Sequence, residues 1–333
     1  KSFRRFAETW RKSYRRSGRA GSNRTASPCR GAFDEGVADS KTANAGGTCV
    51  SEVMTHKIRI SVVVENTAYG AGLLGEHGLA YWIEWDGRRV LLDTGQGTVL
   101  ASNAFKLDVP LHQADAVILS HGHYDHCGAL ADVLRVNRPY VFAHPAALEP
   151  KFARNQDGTS RQIGIPAHAE RALRERRGSL VATSSPTPVF GLLCVTGPVP
   201  RVTDFEDTGG PFFLDAQCSR PDPLVDDQSV FFETRDGVVV LLGCAHSGVV
   251  NTLQYVDRLT GGKPIHAVLG GMHLVGASPQ RLARTIESLR SWDIPLLAPA
   301  HCTGMPATAA LWNAFPGNCT TCHVGTRFEF NAE

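Results

Sequence analysis

Three histidines and an aspartate fall within six residues in the run Ser120-His121-Gly122-His123-Tyr124-Asp125-His126-Cys127-Gly128. Imidazole and carboxylate are the donors that borderline divalent ions such as zinc prefer. In an extended turn, His121 and His123 leave the chain on the same side and can share one ion, while Asp125 and His126 open the following turn and can serve a second. A polar loop that merely happens to be rich in histidine is the alternative, and four donors at this spacing argue against it.

A loop can aim several side chains at one point only if a rigid element holds it. The apolar run Ala116-Val117-Ile118-Leu119 reads as a strand entering the loop, and Leu130, Val133 and Leu134 read as a helix leaving it. Three further histidines follow strand-like runs. His246 comes after Val238 to Leu242, His273 after Ile265 to Leu269, and His301 after Leu296-Leu297-Ala298. Any one of them fits a satisfied structural histidine, but three successive strand-end cases argue against coincidence, because strand ends on one edge of a sheet converge. Helices are expected at Val249 to Leu259 and Pro279 to Arg290. Ile58, Ile60, Val62 and Val64 alternate as a strand, and Tyr81 to Trp85 and Val90 to Leu92 form a hairpin across Asp86-Gly87. A final strand is expected at Thr326 to Phe330. Between about 145 and 225 the pattern is irregular, with a basic helix at Ala167 to Arg177 and two Pro-rich stretches, as in a lid or substrate loop. His144 and His168 fall there as surface or loop histidines.

On these residues the chain resembles the metallo-β-lactamase-fold superfamily, whose metal motif is His-x-His-x-Asp-His. Within it, the chain is similar to the branch that includes the archaeal dihydropterin ribofuranosylaminobenzene phosphate synthase. The residues that carry this are Glu65-Asn66, Glu76-His77-Gly78-Leu79, Leu92-Asp93-Thr94-Gly95, Leu119 to Leu130, Asp226-Asp227-Gln228, Gly243 to Gly248, Gly270 to Leu274 and Pro299 to Gly304. The resemblance implies an α/β fold, an αββα four-layer sandwich of two mixed β-sheets flanked by helices. It also implies two divalent metal ions, zinc first, with magnesium, manganese or iron as alternatives. We assign His121, His123 and His246 to one ion and Asp125, His126 and His301 to the other, with Asp125 as the catalytic residue. In the resembling family the aspartate at Asp93 supports the ligands from behind, and Asn66, Glu76, His77, Cys244 and His273 are expected around the ligands or the substrate.

Two departures stand out. Much of the superfamily bridges its ions with an aspartate after a strand ending Gly-Asp, and here Gly243-Cys244 takes that place. No separate third-motif histidine is apparent before residue 229, so His246 substitutes for it.

Such ions lower the pKa of a bound water toward 7 and polarise a carbonyl or phosphoryl oxygen. Two reactions on a small-molecule substrate fit. One is hydrolysis of an ester, lactone, thioester or phosphodiester, the work of a metallo-hydrolase. The other, implied by the closer resemblance, is transfer of a dihydropterin with release of pyrophosphate to an aromatic nucleophile. A metal or ligand sensor without turnover is the reading from another class.

Composition narrows the rest. The chain has 333 residues, 42% apolar, enough for a full core. Its net charge of +2 hides an asymmetry, since residues 1–30 hold ten Lys or Arg and one Glu. The remainder is acidic, which argues against nucleic acid as a partner. Residues 1–53 read as a disordered basic N-terminal extension, with one short amphipathic helix at Phe3, Phe6 and Trp10, and residues 54–333 as the metallo-β-lactamase-fold domain. The arm suits a transit peptide, a surface tether or an extension upstream of a start at Met54, and the last is preferred. No apolar run reaches the roughly 18 residues of a membrane span. Nine cysteines, without the regular spacing of a disulfide framework, include Cys127, Cys244 and Cys302 beside the histidines, which suits a reducing, cytoplasmic compartment. Cys319-Thr320-Thr321-Cys322-His323 has the spacing of haem attachment and is taken as accidental. Oligomeric state is not legible.

Overall fold

The computed structural model of the protein describes residues 56–176 and 179–332. The basic arm at 1–53, its expected short helix, Met54 and the Arg177 end of the basic helix lie outside the described residues.

The first half begins as an antiparallel meander of β1 (His56–Val64), β2 (Ala80–Trp85) and β3 (Arg88–Leu92). Its β2–β3 turn puts both Asp86 and Gly87 at positive φ, which matches the right-handed twist of the flanking strands. The chain then adds β4 (Ala116–Ile118) and β5 (Tyr140–Ala143) in parallel to β3. The middle segment supplies six short strands: β6 (Phe152–Arg154), β7 (Ser160–Gln162), β8 (Leu180–Ala182), β9 (Thr187–Val189), β10 (Leu193–Val195) and β11 (Phe212–Phe213). The irregular region thus carries more order than its sequence suggests. β8 extends the first sheet, and β11, β6 and β7 form a small sheet of their own.

The second half is β12 (Val230–Thr234), β13 (Gly237–Leu242), β14 (Ile265–Gly271) and β15 (Leu296–Ala300), followed by β16 (Arg327–Ala332). β12 and β13 are antiparallel, and β13, β14 and β15 run parallel, so both sheets are mixed.

Alternation along the strands sorts the core into layers. Ile58, Ile60, Ile83, Val90 and Leu92 face Phe232, Val239, Leu241 and Leu269 in one apolar seam between the sheets. Val63, Trp82, Leu91 and Val117 on the outer face of the first sheet meet α1 (Leu100–Lys106) and, after the short α2 (Tyr124–Cys127), α3 (Leu130–Val136) and α4 (Ala167–Arg174). Val238, Val240, Leu242 and Val268 on the outer face of the second meet α5 (Val249–Thr260), α6 (Pro279–Arg290) and α7 (Met305–Ala314). This is the four-layer αββα sandwich. Each such buried aliphatic contributes roughly 1.5–3 kcal/mol relative to exposure.

The helices stop and start where local chemistry requires. α6 opens on Ser278, whose hydroxyl accepts from the Arg281 amide, with Pro279 in the first position. α5 closes on Gly261 in the left-handed conformation. The two sheets are also hydrogen-bonded at one edge. β16 pairs with β1 from Ser61↔Arg327 to His56↔Ala332 and meets β12 at Thr234↔Ala332, so the C-terminal strand joins them. Among the described residues no helix is long and apolar enough to cross a membrane.

Candidate metal centre

β4 runs into Leu119-Ser120-His121-Gly122-His123, and α2 then presents Asp125 and His126. His246 arrives on the loop after β13. The ring centroids of His121, His123 and His246 lie 4.5 to 4.9 Å apart, and one ligand atom of each lies within 4.8 Å of the others. The Nε2 atoms of all three are buried and have no hydrogen-bond partner.

The other ring nitrogens explain why. Ser120 Oγ donates to Asp93 Oδ2 at 2.7 Å, so it can only accept from His121 Nδ1, 2.9 Å away. His246 Nδ1 donates to the Thr208 carbonyl at 2.9 Å. With the proton on Nδ1, the Nε2 atoms of His121 and His246 keep their lone pairs. A buried polar atom without a partner costs about 1–3 kcal/mol, and three of them converging is the arrangement a divalent cation would relieve. The donor set therefore fits a metal ion. Burial, reinforced for His121 and His246 by the neighbouring histidines, holds both imidazoles well below their ordinary range. Burial pushes His123 down to about 3. All three are neutral donors at physiological pH.

A second group lies alongside. His301 Nε2 is 3.2 Å from Asp125 Oδ2 and 3.2 Å from His126 Nε2. His126 Nδ1 donates to Asp93 Oδ2 at 2.7 Å, and His301 Nδ1 donates to Asn66 Oδ1 at 2.8 Å. Two Nε2 lone pairs thus face one another beside a carboxylate, which fits a cation and not a hydrogen bond. Burial alone would raise the Asp125 pKa, but His126, His301 and His77 outweigh it and hold the carboxyl well below the usual range.

The remaining sequence-predicted residues fall in distinct places. Asp93 stands behind both groups, since its carboxylate accepts from the Ser120 amide, Ser120 Oγ and His126 Nδ1. Asn66 orients His301, and Glu65 Oε1 accepts from the His301 amide at 2.7 Å. His77 is half-exposed, with Nε2 3.2 Å from Asp125 Oδ2. Its neighbour Gly78 has a backbone that brings a would-be Cβ to 2.5 Å from the Asp125 carbonyl, so only glycine allows that approach. Glu76 accepts from the amides of Gln96, Gly97 and Thr98 in the loop after Asp93. Cys244 Sγ lies 3.1 Å from His126 Nε2, and the thiol belongs to donor clusters with both histidine groups. Burial pushes its pKa up. His273 packs its ring 4.1 Å from that of His246 and buries an unpartnered Nδ1. His144 caps a short 3₁₀ turn and His168 is exposed on α4, and neither belongs to a donor cluster among the described residues.

Two features escape the sequence reading, Phe212 and a cleft, and a third, Cys302, is placed there beside the histidines without a role as a donor. Phe212 on β11 sets its ring 5.2 Å from His123 and 5.3 Å from His246, closing one side. Cys302 joins Cys244 and His301 in a further donor cluster. A cleft of about 550 Å³ opens beside Asn66 and His301, walled by Met305, Trp312 and the Thr320–His323 stretch. Only Cys302 had a sequence signal, its place next to His301. Cys319 and Cys322 are both free thiols, and Cys322 is buried against the Tyr81 hydroxyl.

Comparison with known proteins identifies the family. A protein of Methanocaldococcus jannaschii described as uncharacterized is 32% identical over 256 residues, covering 76% of this chain and 93% of its own. The 7,8-dihydropterin-6-methyl-4-(β-D-ribofuranosyl)-aminobenzene-5'-phosphate synthase of the same organism is 26% identical over 289 residues, covering 82% and 97%. A solved structure described as a metal-dependent hydrolase of the β-lactamase superfamily superposes with a TM-score of 0.69 at 27% identity, covering 82% of this chain and 99% of that one. The model of the metallo-β-lactamase superfamily matches residues 74–301, from just before the Glu76 loop to the last histidine of the second group. With a match of that extent, the chain belongs to the metallo-β-lactamase superfamily.

Proposed function

We propose that the protein is a two-metal enzyme that transfers a dihydropterin group from its diphosphate ester to an aromatic amine, releasing pyrophosphate. The observation that carries the metal-enzyme reading is the convergence of three buried, unpartnered Nε2 atoms at His121, His123 and His246. The choice of reaction is supported by the 26%-identical synthase, which aligns over nearly its whole length. It is also supported by Cys244, which stands where most of the superfamily has a bridging carboxylate. Residues 54–333 are proposed as the catalytic unit.

His121, His123 and His246 would hold one ion and Asp125, His126 and His301 the other, zinc being the first choice for nitrogen and oxygen donors beside a thiol. Bound ions supply Lewis acidity toward the leaving diphosphate. Around them, Asp125 is the charged group nearest the half-exposed His77, so a hydrogen-bonded pair stands at the rim to orient the incoming group. Phe212 shields the histidines from water, which favours transfer over hydrolysis. The cleft beside His301, with Trp312 and Met305 in its wall, offers a flat apolar surface to a ring system. The free thiols near the histidines suit a reducing compartment, and we take the cytoplasm as the site of action.

The test is release of inorganic pyrophosphate by the zinc-loaded protein from a dihydropterin diphosphate ester. Release that requires an added arylamine supports the reading. Rapid hydrolysis of simple esters or phosphodiesters without an amine would overturn it in favour of the second reading, a metallo-hydrolase, which the hydrolase of TM-score 0.69 favours. Tight ligand binding with no turnover of any substrate would indicate a sensor.

A further inference from the structure

Three consecutive residues, Asp226-Asp227-Gln228, reach both loops that carry the first group of histidines. Asp226 Oδ2 accepts from the Gly122 amide at 2.8 Å, between His121 and His123. The Gln228 amide donates to the Ser120 carbonyl at 3.0 Å, and its side-chain Nε2 donates to the Leu119 carbonyl at 2.8 Å. Asp227 turns the other way, and its Oδ2 accepts from the Ser247 amide at 2.8 Å, one residue beyond His246. The stretch therefore spans two loops separated by more than a hundred positions in the chain.

The anchor is itself fixed. Lys151 Nζ donates to Asp226 Oδ1 and to Asp222 Oδ2, both at 2.9 Å, and Lys151 is 1% exposed. Asp226, Asp227 and Gln228 are equally buried. A would-be Cβ on Gly122 lies 2.2 Å from the Ala147 carbonyl, so the His-Gly-His turn is pressed between that carbonyl and Asp226 with no room to shift. A buried lysine salt-bridged to two aspartates, with one carboxylate passing on a hydrogen bond, is a rigid link in a region of low dielectric.

We propose that Asp226-Asp227-Gln228 is a clasp of positioning residues that sets the distance between His246 and the pair His121 and His123, with Lys151 locking Asp226 in place. The three imidazoles come from two loops, and nothing on either loop alone fixes their separation. Outer partners of this kind typically govern metal affinity by 10- to 100-fold. The proposal rests on the two-ion reading given above.

The test uses the full chain with cobalt(II) as the only added metal, read by equilibrium dialysis and by the visible spectrum of the bound ion. The H246A variant gives the reference for an empty first site. Wild type is expected to take two equivalents. D227N is expected to unfold at nearly the wild-type temperature and D226N, which takes one carboxylate from the buried Lys151, at a lower one; both are expected to keep the ion at Asp125, His126 and His301, and to bind the first ion about 10- to 100-fold more weakly with an altered spectrum. Wild-type affinity and spectrum in both variants would overturn the proposal, as would equal weakening of both ions. If D226N does not fold, D227N and Q228A decide by the same readout, because they contact the loops without Lys151. A wild type that binds no cobalt would instead remove the two-ion reading, and the clasp with it.

Discussion

The two donor groups sit side by side yet are built on opposite electrostatic plans. His121, His123 and His246 form a set with no carboxylate among them, kept neutral by burial, their free nitrogens left without partners. Asp125, His126 and His301 include a carboxylate that the surrounding imidazoles hold ionised, and each of the two rings is tied to an oxygen acceptor, Asp93 or Asn66. The first group is pre-organised by exclusion, since its three Nε2 atoms converge with no protein partner. The second is pre-organised by charge. One site thus relies on the positions of loops, the other on a carboxylate, and they should fail differently.

The largest separation is expected from Asp125→Ala. It removes the only charge of the second group, so activity should fall by roughly 10²–10³ or more with loss of one metal equivalent. Asp93→Ala, which supports both groups from behind, should instead weaken both ions by roughly 10- to 100-fold without abolishing either. Metal analysis and steady-state kinetics on the two variants check this. Complete loss of both ions in each would put Asp93 among the ligands and erase the distinction.

His246→Ala tests the first group. One equivalent of metal should be lost, while Cys244→Ser keeps two, because the thiol lies beside His126 and the imidazole completes the set of three. The opposite result, metal released by Cys244→Ser and retained by His246→Ala, would make the thiolate the ligand.

Proton linkage gives a third contrast, in the metal-free protein. His123 is pushed down from an ordinary value of 6.5 to about 3, and His121 and His246 are lowered in the same direction. Between about pH 6.5 and 3 the unfolded chain binds protons that the folded chain refuses, so acid costs up to about 1.4 kcal/mol per pH unit for each such imidazole. His126 runs the other way. Burial opposes its charge, but Asp93 and Asp125 raise its pKa, so its contribution is present below 6.5 and is lost as pH rises through the raised value. His273 is raised likewise, and below about 6.5 neither raised group changes its contribution further, so the three lowered histidines should make the melting temperature of the metal-free protein fall as pH drops below about 6.5. A flat profile from pH 7 to 5 would contradict this.

The smallest effect is expected in the cleft outside both groups. Trp312→Ala should raise KM for the ring-bearing substrate by about 2- to 10-fold, as for loss of an aromatic contact worth about 0.5–1.5 kcal/mol, with both ions still bound. An unchanged KM would separate the cleft from the reaction.

Much of the fold was legible because its signals are local. Ile58, Ile60 and Val62 alternate and pack in the seam, and α6 begins and ends at the residues its capping serine, proline and periodicity indicate. The middle segment was less legible, since its strands are two or three residues long and too short to show a period. For the same reason Phe212 gave no sign that it would lie against His123 and His246. Glu76, expected near the ligands or the substrate from its motif, gives its carboxylate to the amides of Gln96, Gly97 and Thr98, a contact its motif does not announce.

The sequence by itself determined which donor atoms are present and that strand ends would bring them to one edge, because residue type and hydrophobic period are properties of short stretches of chain. Only the tertiary structure decided which ring nitrogen of His126, His246 and His301 is free. That depends on hydrogen bonds to Thr208, Asp93 and Asn66, which lie 33 to 235 positions from the histidines they orient. A proton on one nitrogen excludes a metal from it, so the ligand set follows from those distant acceptors and not from the histidines alone.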